Sequence, residues 1–174
     1  GTYTVVISGP GGTISSNAAT LTVLPVSTAA DTTLANISTR GFVGTGNNVL
    51  IAGLVIGGTT PKNVLIRAAG PGLSGFGVAG ALDDPKLTLV DRNAQVVAEN
   101  DNWESDGNRQ TIVAAATRLG AFQFNAGSRD SALLATVPPG NYTAIVSGVG
   151  TGTGVALVEA YDAGTGASPR LSNI

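Results

Sequence analysis

Apolar and polar residues alternate in short runs along most of this chain, a pattern typical of β-strands with one buried face. Two such runs, 142–146 and 155–161, are joined by a loop of glycine and threonine and predict a β-hairpin near the carboxyl end. The run 49–56 is apolar at nearly every position, which predicts a central strand buried on both faces. We expect the alternating run 62–68 to be its hydrogen-bonded partner.

Further strands and one helix complete this prediction. Strands are expected at 34–43, 86–90, 95–98, 121–124 and 131–137, separated by turns rich in glycine, asparagine and proline. Residues 107–119 carry Ile112, Val113, Ala116 and Leu119 at helical spacing, with Asp106 as N-cap and Gly120 as the stop. The predicted fold class is all-β, a jelly-roll or Ig-like sandwich of about 8–10 strands with one short helix.

A repeated segment divides the chain. Residues 1–9 read GTYTVVISG and residues 140–148 read GNYTAIVSG, and each is followed by a glycine-rich turn, a second apolar run, a polar linker and Leu-x-Asn-Ile. The repetition predicts tandem modules: a β-hairpin at 1–25 with strands 2–8 and 18–24, a linker at 26–33, a β-sandwich domain at 34–162, and a linker or the start of the next repeat at 163–174. A lone hairpin is marginally stable in water, so we expect residues 1–25 to pair with another sheet, in cis or in trans.

Composition narrows the class of protein. Charged residues make up 11% of the chain and aromatic residues 5%, so we expect a core of Val, Leu, Ile and Ala. A surface of Thr, Ser, Asn and Gly suits an extracellular or cell-surface protein that packs against copies of itself. The net charge is −2 and no basic cluster is present, which argues against nucleic acid as a partner. No apolar run is long enough to span a membrane.

Catalytic chemistry has little support in the sequence. Histidine and cysteine are absent, which removes the commonest general base, thiol catalysis, disulfides and cysteine-ligated metals. The motif Gly-x-Ser-x-Gly is absent, and the glycine-rich loop 70–80 lacks the lysine of a phosphate-binding loop. We therefore expect no enzyme activity, and we expect Leu73 and Phe76 to plug the end of the sandwich. Arg67 is either a rim cation paired with a carboxylate or a ligand-binding arginine.

Two sets of residues carry family resemblances. One consists of Asp84-Pro85, Leu87, Leu89, Asp91, Ala98, Asn100, Asp101, Pro139, Gly140, Tyr142 and Thr143. This set resembles the bacterial pre-peptidase C-terminal domain, a β-sandwich appended to secreted proteases, with Ala94 where that family has a turn glycine. The other set, Gly1-x-Tyr3 and Ala19-x-Leu21-Thr22-Val23, resembles the tyrosine corner and closing strand of a bacterial immunoglobulin-like domain, with Val5 in place of its cysteine.

The first resemblance implies calcium as a potential cofactor, because some members of that family bind it in acidic loops. Carboxylate and amide oxygens for such a site are available on Asp83, Asp84, Glu99, Asn100 and Asp101, with Asn102 and Asp106 nearby, if the two loops meet. The alternative is that these residues form turns by bonding their own backbone. Trp103, the one tryptophan, either stacks on a sugar ligand or covers an edge of the core.

These observations lead to two hypotheses about function. The favoured one is a non-catalytic structural repeat module of a secreted or cell-surface bacterial protein, a fibre subunit that assembles by strand addition between copies or adjacent modules. The alternative is a calcium-dependent module that binds polysaccharide or extracellular matrix through the region of Asp101 and Trp103 and is appended to a secreted enzyme.

Overall fold

The computed structural model describes residues 2–20, 34–105, 107–164 and 170–173. The chain divides into two compact units, Gly1–Asp31 and Thr32–Ile174. The predicted linker 26–33 lies outside the described residues, as do parts of the segment 163–174.

The first unit is a twisted hairpin of four short strands: β1 (Thr2–Tyr3), β2 (Val6–Gly9), β3 (Gly12–Ser15) and β4 (Ala19–Thr20). β2 pairs antiparallel with β3 and β1 with β4. Both strands of the predicted hairpin are interrupted, because the register shifts by one residue between the pairs Val6–Ser15 and Tyr3–Ala19. Ser16 still continues the pairing of β2 with β3: its N–H donates to the Val5 carbonyl at 2.8 Å, and its hydroxyl accepts from the Val5 N–H at 3.0 Å. β3 is a strand that the sequence did not predict, whereas β4 lies within the predicted strand 18–24, of which residues 21–24 lie outside the described residues. Every described side chain of this unit is exposed.

The second unit is a sandwich of two antiparallel sheets with a short α-helix, which confirms the predicted fold class. One sheet has the strand order β10-β7-β12-β5 and the other β13-β6-β11-β8-β9. The elements in chain order are β5 (Asn36–Val43), β6 (Leu50–Gly57), β7 (Lys62–Ala69), a 3-10 helix (Pro71–Phe76), β8 (Pro85–Asp91), β9 (Val96–Asn100), α1 (Arg109–Leu119), β10 (Ser131–Val137), β11 (Gly140–Gly148), β12 (Gly154–Asp162) and β13 (Arg170–Asn173).

The core between the sheets is almost entirely aliphatic, as the low aromatic content predicts. It is formed by alternate side chains of the strands, among them Val43, Leu54, Ile56, Val64, Ile66, Leu87, Leu89, Val146, Ala156 and Val158. Small residues such as Ala144 and Ala160 complete it. Burial of alternate residues on each strand is what the sequence pattern requires of a sheet with one packed face.

The predicted hairpin near the carboxyl end is wrong, because β11 and β12 lie in different sheets. β11 pairs with β6 and β8, whereas β12 pairs with β5 and β7. The loop between them crosses from one sheet to the other, and a Cβ at Gly148 would come within 2.1 Å of the Gly152 carbonyl oxygen. Each strand thereby gains a hydrogen-bonded neighbour on both sides and turns its apolar face toward the core.

The predicted burial of strand 49–56 on both faces is also wrong. β6 alternates between buried and exposed residues, and Ile51 is 58% exposed. β7, expected to be its partner, lies in the other sheet and is the strand buried on both faces. Its outer face is covered by α1 and by the segment 121–124, which is not the predicted strand.

The α-helix is part of the layer that covers the outer face of the four-stranded sheet. α1 buries Ile112, Ala115 and Ala116, and it ends at Gly120, whose φ of 72° and backbone bonds confirm the predicted stop. The predicted N-cap, Asp106, lies outside the described residues, and Asn108 holds the N-cap position without a side-chain cap bond. Within the described residues, no helix is both long and apolar enough to cross a membrane.

The turn between β8 and β9 supplies a prediction about stability. Ala94 has a φ of 59° and is the one residue other than glycine with a positive φ in the described chain. A left-handed backbone costs an L-residue about 1–2 kcal/mol, while glycine costs about 0.4–1 kcal/mol in the unfolded chain. We expect Ala94→Gly to raise the free energy of unfolding, measured by urea denaturation, by about 0.5–1 kcal/mol.

A reverse substitution provides the control. Gly46 has a φ of 62° and open space around its Cα, so Gly46→Ala is expected to lower the free energy of unfolding by about 1 kcal/mol. A shift of both variants in the same direction would contradict the backbone explanation.

Candidate functional site

The predicted calcium ligands lie where β8 begins and β9 ends in the five-stranded sheet, Asp83 and Asp84 before β8 and Glu99, Asn100 and Asp101 at the end of β9, and most have protein partners. Glu99 is ion-paired with Lys86 at 3.0 Å, and Asp84 with Arg129 at 3.6 Å. Asp101 accepts a hydrogen bond from the Asn102 amide at 3.1 Å, and Asp83 is exposed. No group of three acidic side chains that could hold a metal ion occurs among the residues the structure describes. Calcium binding stays a prediction.

Asn100 differs from the other predicted ligands because it is buried. Its amide nitrogen donates to the Asn102 carbonyl at 3.0 Å, and its side-chain oxygen accepts from the Ala132 N–H at 3.2 Å. The first bond holds the loop after β9 and the second ties the end of β9 to β10, which is a structural use of the amide. Asn100 also lines a small pocket of about 210 Å³ with Lys86, Glu99, Asp101 and Ser105.

Trp103, the predicted ligand-binding residue, is packed inside the second unit and is only 3% exposed. Its ring contacts Phe124 edge-on at 6.1 Å, and the Arg109 guanidinium lies 5.7 Å from its centre. A ring buried in this way offers no open face to a sugar. The burial therefore favours the second interpretation of Trp103, that it covers an edge of the core.

The glycine-rich loop 70–80 does bind an anion, but the anion is the chain's own Asp130. Asp130 is fully buried, and its carboxylate accepts the N–H of Gly70 at 2.7 Å and that of Gly72 at 3.1 Å. The Ser128 hydroxyl adds a bond at 2.6 Å. This arrangement fixes the 3-10 helix against β10. Sequence reasoning missed Asp130, because an Asp that follows Ser and Arg reads as an ordinary turn residue.

A buried ion pair lies on the outer face of the four-stranded sheet. Arg67 is 1% exposed, and its Nη1 lies 3.4 Å from Oε2 of Glu159. The guanidinium packs on the rings of Phe124 and Phe122, 4.0 and 4.4 Å from their centres. Burial lowers the pKa of Arg67, and the carboxylate of Glu159 opposes that shift. The predicted carboxylate partner is confirmed, but the predicted rim position of Arg67 is wrong.

Tyr161 completes this cluster. Its hydroxyl donates to Oε1 of Glu159 at 2.8 Å. Burial, reinforced by the neighbouring carboxylate, raises the pKa of Tyr161 to about 12. The two oxygens of Glu159 therefore face different groups, one Tyr161 and the other Arg67. Oε2 of Glu159 and both terminal nitrogens of Arg67 have no hydrogen-bond partner in the described chain.

An open groove of about 490 Å³ runs beside Glu159. Its lining residues come from β5, the 3-10 loop, the segment after α1 and β12; they are Ser38, Thr39, Arg40, Leu73, Phe76, Val78, Phe122, Leu157 and Glu159. Leu73 is buried as expected, but Phe76 is 65% exposed and does not plug the sandwich. Instead Phe76 contacts Phe122 edge-on at 5.0 Å and forms one wall of the groove.

The hairpin unit offers a second candidate surface. Tyr3, Val5 and Ile7 are 60%, 63% and 65% exposed, whereas their counterparts in the repeated segment, Tyr142, Ala144 and Val146, are at most 9% exposed. The same sequence pattern thus forms a central, buried strand in β11 and an uncovered one in the hairpin. Ile14, paired with Ile7, extends the exposed apolar surface.

Comparisons with known proteins add little to this geometry. No protein-family model matches the sequence. No curated protein matches it either. Among solved structures, the pre-peptidase C-terminal domain of collagenase from Bacillus anthracis is similar to this chain, with a TM-score of 0.40 and 15% identity over 72% of this chain and 89% of that one. That domain is of the family which the sequence resembles, but a likeness at this level carries no argument about function.

The buried carboxylate of Asp130 yields a prediction about stability. In Asp130→Asn the amide keeps one oxygen for the Gly70 and Gly72 N–H groups, but it loses the negative charge that strengthens these bonds, and its NH₂ replaces the oxygen that accepts from Ser128. We expect the free energy of unfolding, measured by urea denaturation, to fall by about 1–3 kcal/mol. Asp83→Asn, at an exposed position, should change it by less than about 0.5 kcal/mol. Equal effects of the two variants would show that Asp130 does not hold the loop.

Tyr161 yields a prediction about pH. Its folded-state pKa of about 12 lies above the ordinary 10.0, so the folded state favours the neutral phenol. The resulting stability is complete below about pH 10 and is lost as the pH rises toward 12, by up to about 2–3 kcal/mol. Urea denaturation across this range should show a flatter pH dependence for Tyr161→Phe than for the wild type. Identical slopes would contradict this assignment.

Proposed function

We propose that this chain is a non-catalytic structural module of an exported bacterial protein and that its N-terminal hairpin adds to a sheet in a second copy. The carrying observation is the uncovered apolar surface of the hairpin, formed by Tyr3, Val5, Ile7 and Ile14. Within this unit no other described element covers it, since every described residue of 2–20 is exposed.

The contrast with β11 supports this proposal. The segment GNYTAIVSG is stable as a strand because it has hydrogen-bonded neighbours on both sides and a packed face. The related segment GTYTVVISG has one such neighbour and no packed face. An isolated two-stranded hairpin is marginal in water, so a sheet and an apolar face from a partner would stabilise it.

The absence of charged residues from the hairpin favours a second copy of this chain as its partner. Residues 2–20 contain no Asp, Glu, Lys or Arg, and the hairpin strands contain no proline. Edge strands that avoid pairing usually carry such residues. An uncharged partner surface, such as another copy of this low-charge chain, fits the hairpin better than a strongly charged macromolecule does.

The proposal that the module is not an enzyme rests on its side chains. The chain has no histidine or cysteine. The buried Arg67–Glu159 pair is enclosed by aromatic rings and bonded to Tyr161, an arrangement that serves packing and binding. Export fits the cysteine-free, Thr- and Ser-rich surface.

Sedimentation velocity over a wide concentration range tests the proposal. The wild-type chain is expected to exceed its monomer mass of 17.2 kDa as concentration rises. The double variant Ile7→Thr/Ile14→Thr keeps β-propensity but removes the exposed apolar pair, and it should remain monomeric. Ile51→Thr, at an equally exposed isoleucine of β6, is the matched control and should associate like the wild type.

Two results would contradict strand addition between copies. One is a wild-type chain that remains a monomer at every concentration. The other is an equal loss of association in the Ile51→Thr control, which would place the contact on the five-stranded sheet.

A further inference from the structure

The polar groups that a ligand in the groove can reach belong to Ser38, Thr39 and Arg40, which are all exposed. Glu159 also lines the groove, but it is 6% exposed and its oxygens face protein groups: Oε1 accepts the Tyr161 hydroxyl, and Oε2 lies 3.4 Å from Arg67. A ligand hydroxyl in the groove therefore meets Ser38 and Thr39 rather than Glu159.

The walls of the groove are apolar and aromatic. Phe76 is largely exposed and contacts Phe122, and Leu73, Val78 and Leu157 complete the apolar lining. An exposed phenyl ring beside the hydroxyls of Ser38 and Thr39 suits a ligand with an apolar face and hydroxyl groups at its edge. A sugar ring has both, since its C–H groups form the face and its hydroxyls the edge.

The rim of the groove carries an unpaired positive charge. Arg40 of β5 is exposed and makes no ion pair with any residue of the described chain. Arg67 and Glu159 balance each other, so the charged residues in and beneath the groove sum to about +1. A guanidinium binds a carboxylate in a charge-assisted, two-pronged contact. Ser38 and Thr39 beside it can exchange hydrogen bonds with hydroxyls.

We propose that this groove binds an acidic polysaccharide, a chain of sugar rings that bear carboxylates. One ring stacks on Phe76, its hydroxyls exchange hydrogen bonds with Ser38 and Thr39, and a ring carboxylate pairs with Arg40. The site differs from the predicted calcium loops and Trp103 in position and needs no metal. It also lies wholly within the second unit, so it does not depend on the hairpin.

The position of the groove favours a saccharide over an added β-strand. Its floor includes Leu157 and Glu159 of β12, which is one strand in from the sheet edge at β5. A strand that paired with β5 would lie beside the sheet in its plane. A ligand in the groove lies on the face of the sheet, where side chains rather than backbone groups meet it.

Isothermal titration calorimetry in the presence of EDTA tests this proposal with oligogalacturonate and with a cello-oligosaccharide of equal length. Oligogalacturonate should bind the wild-type chain, and the neutral oligosaccharide should bind at least about tenfold more weakly. Phe76→Ala should weaken oligogalacturonate binding by about tenfold or more. Arg40→Gln should remove the preference for the acidic oligosaccharide. Both substituted side chains are exposed, so the fold should persist.

Two controls make the result decisive. Phe42→Ala removes a phenyl ring of β5 that is 67% exposed but lies outside the groove lining, and it should leave binding unchanged. The hairpin variant Ile7→Thr/Ile14→Thr should also bind like the wild type, which separates this site from self-association. The proposal is overturned if oligogalacturonate gives no heat at millimolar concentration, if the neutral oligosaccharide binds equally well, or if Phe42→Ala or the hairpin variant removes binding.

Discussion

The structure depends on one requirement, that each strand with an apolar face must pack that face against another. β11 and β12, adjacent along the chain, meet this requirement from opposite sheets, because each packs its apolar face against the other sheet across the core. The same requirement explains the aliphatic core, because short side chains such as Ala144 and Ala156 suit closely packed sheets. In the described residues 2–20 the same requirement is not met.

The outer face of the four-stranded sheet is packed in a second way, against a helix and loops instead of another sheet. Here α1 and the loops beside it cover β7, and the fully buried Asp130 holds the loop in place through the backbone of Gly70 and Gly72. The cover encloses Arg67 and Glu159, whose desolvation is offset by their mutual attraction, the Tyr161 hydroxyl and two phenyl rings. The helix and loops that cover this face end before β5, and the groove lies between them and β5.

Periodicity in the sequence was sufficient to locate most strands of the second unit, the helix and its stop at Gly120, because these follow from local burial and backbone conformation. It could not assign strands to sheets. The apolar run of β6 looked buried on both faces, yet Ile51 is exposed. β7 is the strand buried on both faces, because residues distant in sequence cover its outer face. Asp130 and Glu159 gave no local signal, since their roles depend on contacts with Gly70 and Arg67, far away in sequence.

The proposed function rests on the N-terminal hairpin. It repeats the sequence pattern of the core strand β11, but its apolar side chains are exposed in the described residues 2–20. The proposed saccharide groove is a separate feature, because it lies in the second unit and the hairpin surface lies in the first. Nuclear Overhauser spectra of a mixture of isotope-labelled and unlabelled chains test the central claim most directly. The account predicts intermolecular cross-peaks to the methyl groups of Ile7 and Ile14 in concentrated samples. Cross-peaks from these methyl groups to protons of the same chain alone would contradict it.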